Sequence, residues 1–302
     1  VKQGDPLSAL LFNIAIEPLL RMVKAKHESN AFSLHGRKLN VLAYADDLVI
    51  VTDSSASLRH ALHDVNLILQ DMSLAANPQK CGTMTLERGK LASKQYKLGM
   101  HDLPALKVGD HYKYLGTPTG IHCDTTPTQT LSNAIRDMYV LRDCLLAPQQ
   151  KLDAIKVFIL PRLTYILRHT DVPRAPLVEF QKALVDTARQ IMKLPTISSV
   201  HHIFGTTRQG GLGITGTLEE QDMQILSHAF RLLSSPNEDT KNLAWNTLLH
   251  DVKSRLKRQP TDFELSSFFE GGNDTLFSQT SAPLRSLWPR LRQAARRLKP
   301  VI

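Results

Sequence analysis

Cysteine is scarce, with three residues (Cys81, Cys123 and Cys144) in 302 and no Cys-x-x-Cys pair. That excludes a zinc ribbon or knuckle and argues against a disulfide framework, so a reducing compartment is expected. No uninterrupted apolar run approaches the roughly 20 residues of a membrane-spanning helix, so no membrane partner is expected. The chain begins at Val1 without methionine and shows no charged-then-apolar leader. The expectation is therefore an internal fragment whose targeting cannot be read from this end. There is no internal repeat and no low-complexity tract. What is present, 42% hydrophobic and 22% charged residues, is the balance of a folded globular protein. The length predicts two or three domains at about 100–200 residues each.

Charge is unequal in sign and in placement. Lys and Arg number 37 against 28 Asp and Glu, a net charge of +9. Residues 1–118 hold 14 cations and 11 acids (+3), and residues 119–302 hold 23 and 17 (+6). A basic surplus suits a polyanionic partner, because cationic side chains displace counterions condensed on phosphates. The densest tracts are Ser254–Arg258 and Leu284–Lys299, the latter with six cations and no acid. A nucleic-acid surface and an ordinary solvated basic helix account for them equally.

The chain pattern is that of an α+β protein. Asp5 is placed to cap a helix opening at Pro6. Leu7, Leu10, Leu11 and Ile14 on one face, with Phe12, Ile16, Leu19 and Val23 around it, predict a buried helix to Lys26, kinked at Pro18. Residues 41–52, VLAYADDLVIVT, predict a hairpin with both strands buried and Asp46 and Asp47 at the bend. A helix is predicted over 57–74, then short strands at 81–86 and 111–115. Helices are expected over 128–146, 149–169 with a kink at Pro161, and 176–194, the pattern of an antiparallel bundle. Gly205–Gly216 reads as a backbone turn, since it lacks the Lys-Ser/Thr of a phosphate-binding loop.

Asp46 and Asp47 carry the chemistry. Adjacent carboxylates between apolar strands repel one another, and a bound cation removes the repulsion. Magnesium takes oxygen ligands and needs only one or two carboxylates plus substrate phosphates. A pair of such ions serves phosphoryl transfer. An exposed turn, where Asp is common, is the alternative. A second segment, Lys2-Gln3-Gly4-Asp5-Pro6-Leu7-Ser8, lies about forty residues upstream. Gly4 permits close backbone approach, the helix start offers free N–H groups, and Gln3 both donates and accepts. A plain capped helix start is the competing reading.

These segments resemble the ordered motifs of reverse transcriptases. Val1–Asn13 is similar to motif B and Ala43-Tyr44-Ala45-Asp46-Asp47 to motif C. Leu74–Met84, with Asn77 and Lys80, resembles motif D, and Tyr112-Lys113-Tyr114-Leu115-Gly116 resembles the primer grip of motif E. The order and wording, with Gly210-Gly211-Leu212-Gly213-Ile214 beyond, resemble the non-LTR retrotransposon lineage that carries a restriction-enzyme-like endonuclease. The resemblance covers Val1 to about Gly216.

It implies an RNA-directed DNA polymerase with a partial right-hand palm of antiparallel sheet and helices (1–118). A helical thumb (119–216) and a basic helical C-terminal segment (217–302) follow. It further implies Asp46 and Asp47 as metal-site catalytic carboxylates for two Mg²⁺ ions, with Mn²⁺ as a substitute. Lys80 would stand by the triphosphate as general acid, although a surface lysine after a turn has the same pattern. Gln3, Gly4 and Tyr44 would line the nucleotide. Tyr114, Leu115 and Gly116 would grip the primer, although core packing explains Tyr112 and Tyr114 equally well. RNA template, DNA primer and dNTP are the implied partners. An intracellular site, the nucleus for the intact protein, is implied too. Arg136, Arg142, Lys156, Arg162 and Arg168 are candidates for the duplex-facing side of the thumb.

Motif A, with a third metal-binding aspartate, and the fingers have no counterpart in the 302 residues, so the chain alone is expected to be inactive. Ala9 stands where the family commonly has proline. His201-His202, and His60 with His63, give no third ligand for a rival metal site. The competing function is a non-enzymatic nucleic-acid-binding remnant. A maturase or an RNA-templated RNA polymerase is a third, which the Tyr-Ala-Asp-Asp and motif B wording disfavours.

Overall fold

The computed structural model describes residues 5–272, 274–277 and 286–299. The chain divides into two compact units, 1–124 and 125–302.

In the first unit, helix α1 spans Pro6–Lys26, and the Asp5 carboxylate accepts the Leu7 N–H at 2.9 Å. Proline at the first helical position costs no hydrogen bond, so the predicted start is realised. The expected burial is not. Leu19 and Val23 are buried, but Leu7, Leu10, Leu11 and Ile14 are all about half exposed. A 21-residue helix is about 31 Å long. The core it shares with Val41 and Val65 takes it from Ile16 onward, through Leu19, Leu20, Met22 and Val23. The helix therefore outruns its partners.

The strands of this unit pair as five antiparallel hairpins. These are β1 (Phe32–Leu34) with β2 (Arg37–Leu39), and β3 (Val41–Tyr44) with β4 (Asp47–Ile50). Next come β5 (Thr85–Glu87) with β6 (Lys90–Ala92), β7 (Tyr96–Leu98) with β8 (His101–Leu103), and β9 (Tyr112–Tyr114) with β10 (Thr117–Thr119). Every hairpin closes through two residues. Helix α2 (Ser55–Asp71) lies between them. Its Val65, Ile68 and Leu69 join α1 and β3–β4, and its Leu62 joins Tyr96, Leu98 and Leu103 of β7–β8.

The β3–β4 hairpin is fastened at its open end. The Asn40 amide donates to the Val23 and Lys24 carbonyls at the end of α1, at 3.1 and 3.2 Å. Val51 N–H returns to the Asn40 carbonyl, and Asp53 N–H to that of Asn30. Asp64 of α2 holds both Lys26 and His27, at 2.8 and 2.9 Å. Burial pushes its carboxyl up, but the bonds from Lys26 and His27 outweigh that and hold it below the usual carboxylate range. The last-turn carbonyls of Val23, which also accepts the His27 N–H, and Lys24 thus become the anchor of the hairpin.

Among its described residues, the second unit contains helices and no strand. Helices α3 (Thr128–Asp143), α4 (Pro148–Ala154), α5 (Pro161–His169) and α6 (Arg174–Ile191) bury one core around Met138, Leu152, Ile159, Phe180 and Leu184. A π turn over Ile155–Ile159 separates α4 from α5, with Leu160 N–H reaching the Ile155 carbonyl. Pro161 has no N–H to continue the ladder, so the expected break falls there. Short α7 (Val200–Phe204) leads to the glycine segment. A Cβ on Gly211 would lie 2.2 Å from the Gly205 carbonyl oxygen, so two backbone strands cross there and only glycine fits.

Helices α8 (Thr217–Leu233), α9 (Glu238–Leu256), α10 (Asp262–Phe269), α11 (Asp274–Phe277) and α12 (Leu287–Leu298) build a second core around Leu248, Phe268, Trp288 and Leu291.

The basic tract at 284–299 fits neither of its two expected readings in full. Arg297 of α12 and Arg174 of α6 both bind Asp222 of α8, whose side chain is only 3% exposed. Arg290 pairs with Asp171 at 3.2 Å, and Arg292 lies over Phe277 and donates to the Gly272 carbonyl. These cations fasten α12 internally. The five thumb candidates are also engaged. Arg142 binds Asp143 and Gln190, Arg162 and Arg136 approach Asp137, Lys156 approaches Asp153, and Arg168 donates to Gln224.

Asp222→Asn should leave two guanidiniums facing a neutral amide. Both are about a third exposed, so water recovers part of the loss. The expected destabilisation is about 2–3 kcal/mol, below that of a fully buried pair. It is read as a lower midpoint in urea denaturation. An unchanged midpoint would mean that the triad does not hold α6, α8 and α12 together.

Candidate active site

Asp46 and Asp47 sit where the sequence places them, at the closed end of β3–β4. Tyr44 pairs with Asp47, so Ala45 and Asp46 form the whole connection. Ala45 lies in the left-handed region at φ +50°. A non-glycine residue there costs about 1–2 kcal/mol, and such strain gathers at functional turns.

The expected burial of both strands is overturned. Leu42 and Tyr44 are 46% and 67% exposed, Asp46 is exposed, and all of β4 including Asp47 is half-buried. No described element covers that face of β3. Gln3 and Gly4 lie outside the described residues.

Asp47 acts through its charge on a strand far along the chain. Its charge, after burial, pushes the phenols of both Tyr112 and Tyr114 on β9 above their ordinary value. Tyr112 also feels Cys81, and its hydroxyl donates to the Lys80 carbonyl at 2.7 Å. A Cβ on Gly82 would lie 3.1 Å from the Tyr112 ring, so glycine admits the ring against the chain.

Lys80 ends a 3₁₀ turn, Pro78–Lys80, begun by the Asn77 side chain accepting from Gln79 N–H. Its side chain is exposed. The strand predicted over 81–86 is reduced to β5, because this turn occupies the preceding residues and Thr83 makes only an isolated bridge to Ala105. Burial raises the Cys81 thiol, which donates to the Asn77 carbonyl.

Leu115 and Gly116 form the β9–β10 turn at φ +47° and +80°. Positive φ at both loop positions matches the twist of the flanking strands. The turn aims Tyr112 and Tyr114 along one face of β9, two residues apart.

Tyr44, Asp46, Asp47, Lys80 and Tyr114 are thus carried by three hairpin or turn tips of one unit. Tyr112 was read as part of a motif or as core packing, yet it bonds to the Lys80 carbonyl and feels the Asp47 charge. No spacing in the sequence marks that role. The carboxylate oxygens suit a hard divalent ion, since Asp47 is half-buried beside two phenols and Asp46 opens to solvent. Among the described residues no group of three or more His, Cys, Asp or Glu could hold a metal. The two aspartates therefore offer a partial ligand set.

Residues 1–119 match the family described as reverse transcriptase (RNA-dependent DNA polymerase). With the acidic hairpin and the tyrosine strand, this makes the first unit a member of the reverse transcriptase family. Within it, the chain is similar to polyproteins of R2 non-LTR retrotransposons.

The Pol polyprotein of the R2 element of Nasonia vitripennis is 28% identical over 247 residues, covering 80% of this chain and 23% of that protein. The R2DM polyprotein of Drosophila melanogaster is 30% identical over 227 residues, 71% of the chain and 20% of that protein. An R2 polyprotein of Popillia japonica is 29% identical over 248 residues, 80% and 40% respectively. The chain therefore spans well under half the length of these relatives, and the similarity continues past residue 119 into the second unit. No helix among the described residues is long and apolar enough to cross a membrane.

Asp47→Asn should let the tyrosines ionise more readily. Their raised values come from burial first and Asp47 second, so removing the charge brings them part of the way back toward 10. Ultraviolet titration of the folded chain should show the alkaline tyrosine transition at lower pH in the variant. An unchanged transition would mean that Asp47 and β9 are not neighbours.

Proposed function

We propose that this chain is the catalytic-carboxylate portion of the palm, with the thumb, of an RNA-directed DNA polymerase that copies an RNA template onto a DNA primer with dNTPs. Residues 1–118 are assigned to the palm, 119–216 to the thumb and 217–302 to a helical support of the thumb. The observation that carries the reading is the convergence at Asp47. Its charge acts on Tyr112 and Tyr114, while Lys80 is tied to Tyr112 by a hydrogen bond. Three motifs met separately along the chain thereby become one surface.

The roles follow from environment. Asp46, open to solvent, is assigned direct ligation of Mg²⁺ or Mn²⁺. Asp47, held half-buried by β4, completes the acidic edge and orients it. The chemistry that two such ions supply is activation of the primer 3′-hydroxyl and neutralisation of charge on the leaving oxygen. Tyr112 and Tyr114, with phenols raised above 10, stay uncharged at working pH and set no phenolate against the primer phosphates. The rigid Leu115-Gly116 turn holds that strand against the primer end. Lys80, exposed beside this edge, is assigned the proton donated to pyrophosphate. Gln3, Gly4 and Tyr44 are assigned to the nucleotide.

The measurement is Mg²⁺-dependent primer extension on an RNA template by the intact parent polyprotein. Asp46→Ala and Asp47→Ala should each lower it more than about 100-fold, the scale for losing a major electrostatic group. The 302-residue chain, with its partial ligand set, should show none. Normal extension by the Asp46→Ala parent, or robust extension by the chain alone, would contradict the assignment.

A further inference from the structure

The first unit carries a second cationic feature that the acidic hairpin does not use. A cleft of about 760 Å³ opens between α2 and the β7–β8 hairpin, lined by Arg59, His63, Lys94, Gln95, Lys97 and Gly99. No carboxylate lines it. Three full cations come from α2 (Arg59), the link between β6 and β7 (Lys94) and β7 (Lys97), and Arg59 and His63 share one face of α2, four residues apart.

The cleft is built on a fixed floor. Tyr96 is 2% exposed, and its hydroxyl bonds to Thr85 and Ser55 at 2.8 and 3.0 Å. The Arg59 guanidinium lies over that ring, 5.5 Å from its centroid. Among the described residues Arg59 has no carboxylate partner. Lys97 meets Asp102 only at 3.9 Å, with both side chains two-thirds exposed, a pair worth little in water. Lys94 is held by Glu87 at the rim. A guanidinium oriented by an aromatic face but unpaired is preorganised for an anion. At the end of β7, Gly99 sits at φ +60° beside the Asn66 amide, so this wall of the cleft is polar and free of bulk.

We propose that this cleft binds the phosphate backbone of a single nucleic-acid strand, as an accessory site outside the acidic hairpin. The cations lie on α2, on β7 and in the link before β7, whereas Asp46 and Asp47 lie at the tip of β3–β4. The volume exceeds what one small phosphate fills, and the cations come from three segments of the chain, which suits successive phosphates of a strand. Free polyphosphate shares the chemistry, and the experiment separates the two.

The probe is a fluorescein-labelled single-stranded RNA of about 20 nucleotides, read by anisotropy against the 302-residue chain between about 50 and 300 mM NaCl. Arg59→Gln with Lys97→Gln should weaken binding about tenfold at about 100 mM. It should flatten the logarithmic salt slope by about 1.4, or about 0.7 for each single-strand phosphate no longer neutralised. Lys94→Gln with Lys97→Gln keeps the Arg59–Tyr96 stack intact and should do the same, which guards against a folding artefact. Lys107→Gln with Lys253→Gln, two exposed lysines outside the cleft, is the charge-matched control and should cost less than about twofold. Asp46→Ala should leave binding intact, so failure of the polymerase assignment would not mimic failure here. Wild-type affinity and slope in both cleft variants would overturn the proposal. So would an equal loss in the control pair, which would mean diffuse charge alone. Calorimetry in which the cleft variants lose tripolyphosphate binding but keep RNA binding would assign the cleft to a free polyanion and overturn it too.

Discussion

The repulsion between two neighbouring carboxylates governs the first unit. Like charges on neighbouring side chains repel, and exposure to water screens that repulsion without removing it. The chain keeps such a pair at the tip of a two-residue connection that already includes a left-handed alanine. Neither feature helps folding. Both are tolerable because the hairpin is fastened elsewhere. Asn40 closes the end of α1, Asp64 ties α1 to α2, and Val41 packs with Leu19, Val23 and Val65. Stability resides at the base and chemistry at the tip, the usual division between a rigid scaffold and a functional turn.

The second unit uses its charge differently. An excess of 23 cations over 16 acids across residues 125–302 (+7) invites the inference of a nucleic-acid surface. Much of that excess is internal. Asp222 organises two arginines, Asp171 and the Thr170 carbonyl hold Arg290, and Arg292 lies over Phe268 and Phe277. Net charge thus says less about partners than the burial of each cation does. In the first unit, where 14 cations meet 12 acids over residues 1–124 (+2), unpaired Arg59 faces an open cleft.

Local signals in the sequence were legible where one residue decides the backbone. Asp5-Pro6 opens α1, Pro161 breaks the helix after the π turn, and the Asp-Asp pair marks the hairpin tip. Burial was legible only where partners are near in the chain. Leu19 and Val23 have them, while Leu7, Leu10, Leu11 and Ile14 read as equally apolar but stay about half exposed. Periodicity reports which face is apolar, not what lies opposite. The site was legible as three separate motifs. Their meeting was not, because the Tyr112–Lys80 bond spans 32 residues and involves a backbone carbonyl. The same holds for the cation cleft, since no spacing rule joins Arg59 to Lys97.

The most direct measurement is paramagnetic broadening of backbone amide signals when Mn²⁺ is titrated into the folded chain. An ion held by the acidic tip should first broaden Asp46 and Asp47 and then, across the cluster, Tyr112 and Tyr114. Asp47→Asn should abolish that pattern. Broadening that spares residues 44–47, or that persists unchanged in the variant, would contradict the account.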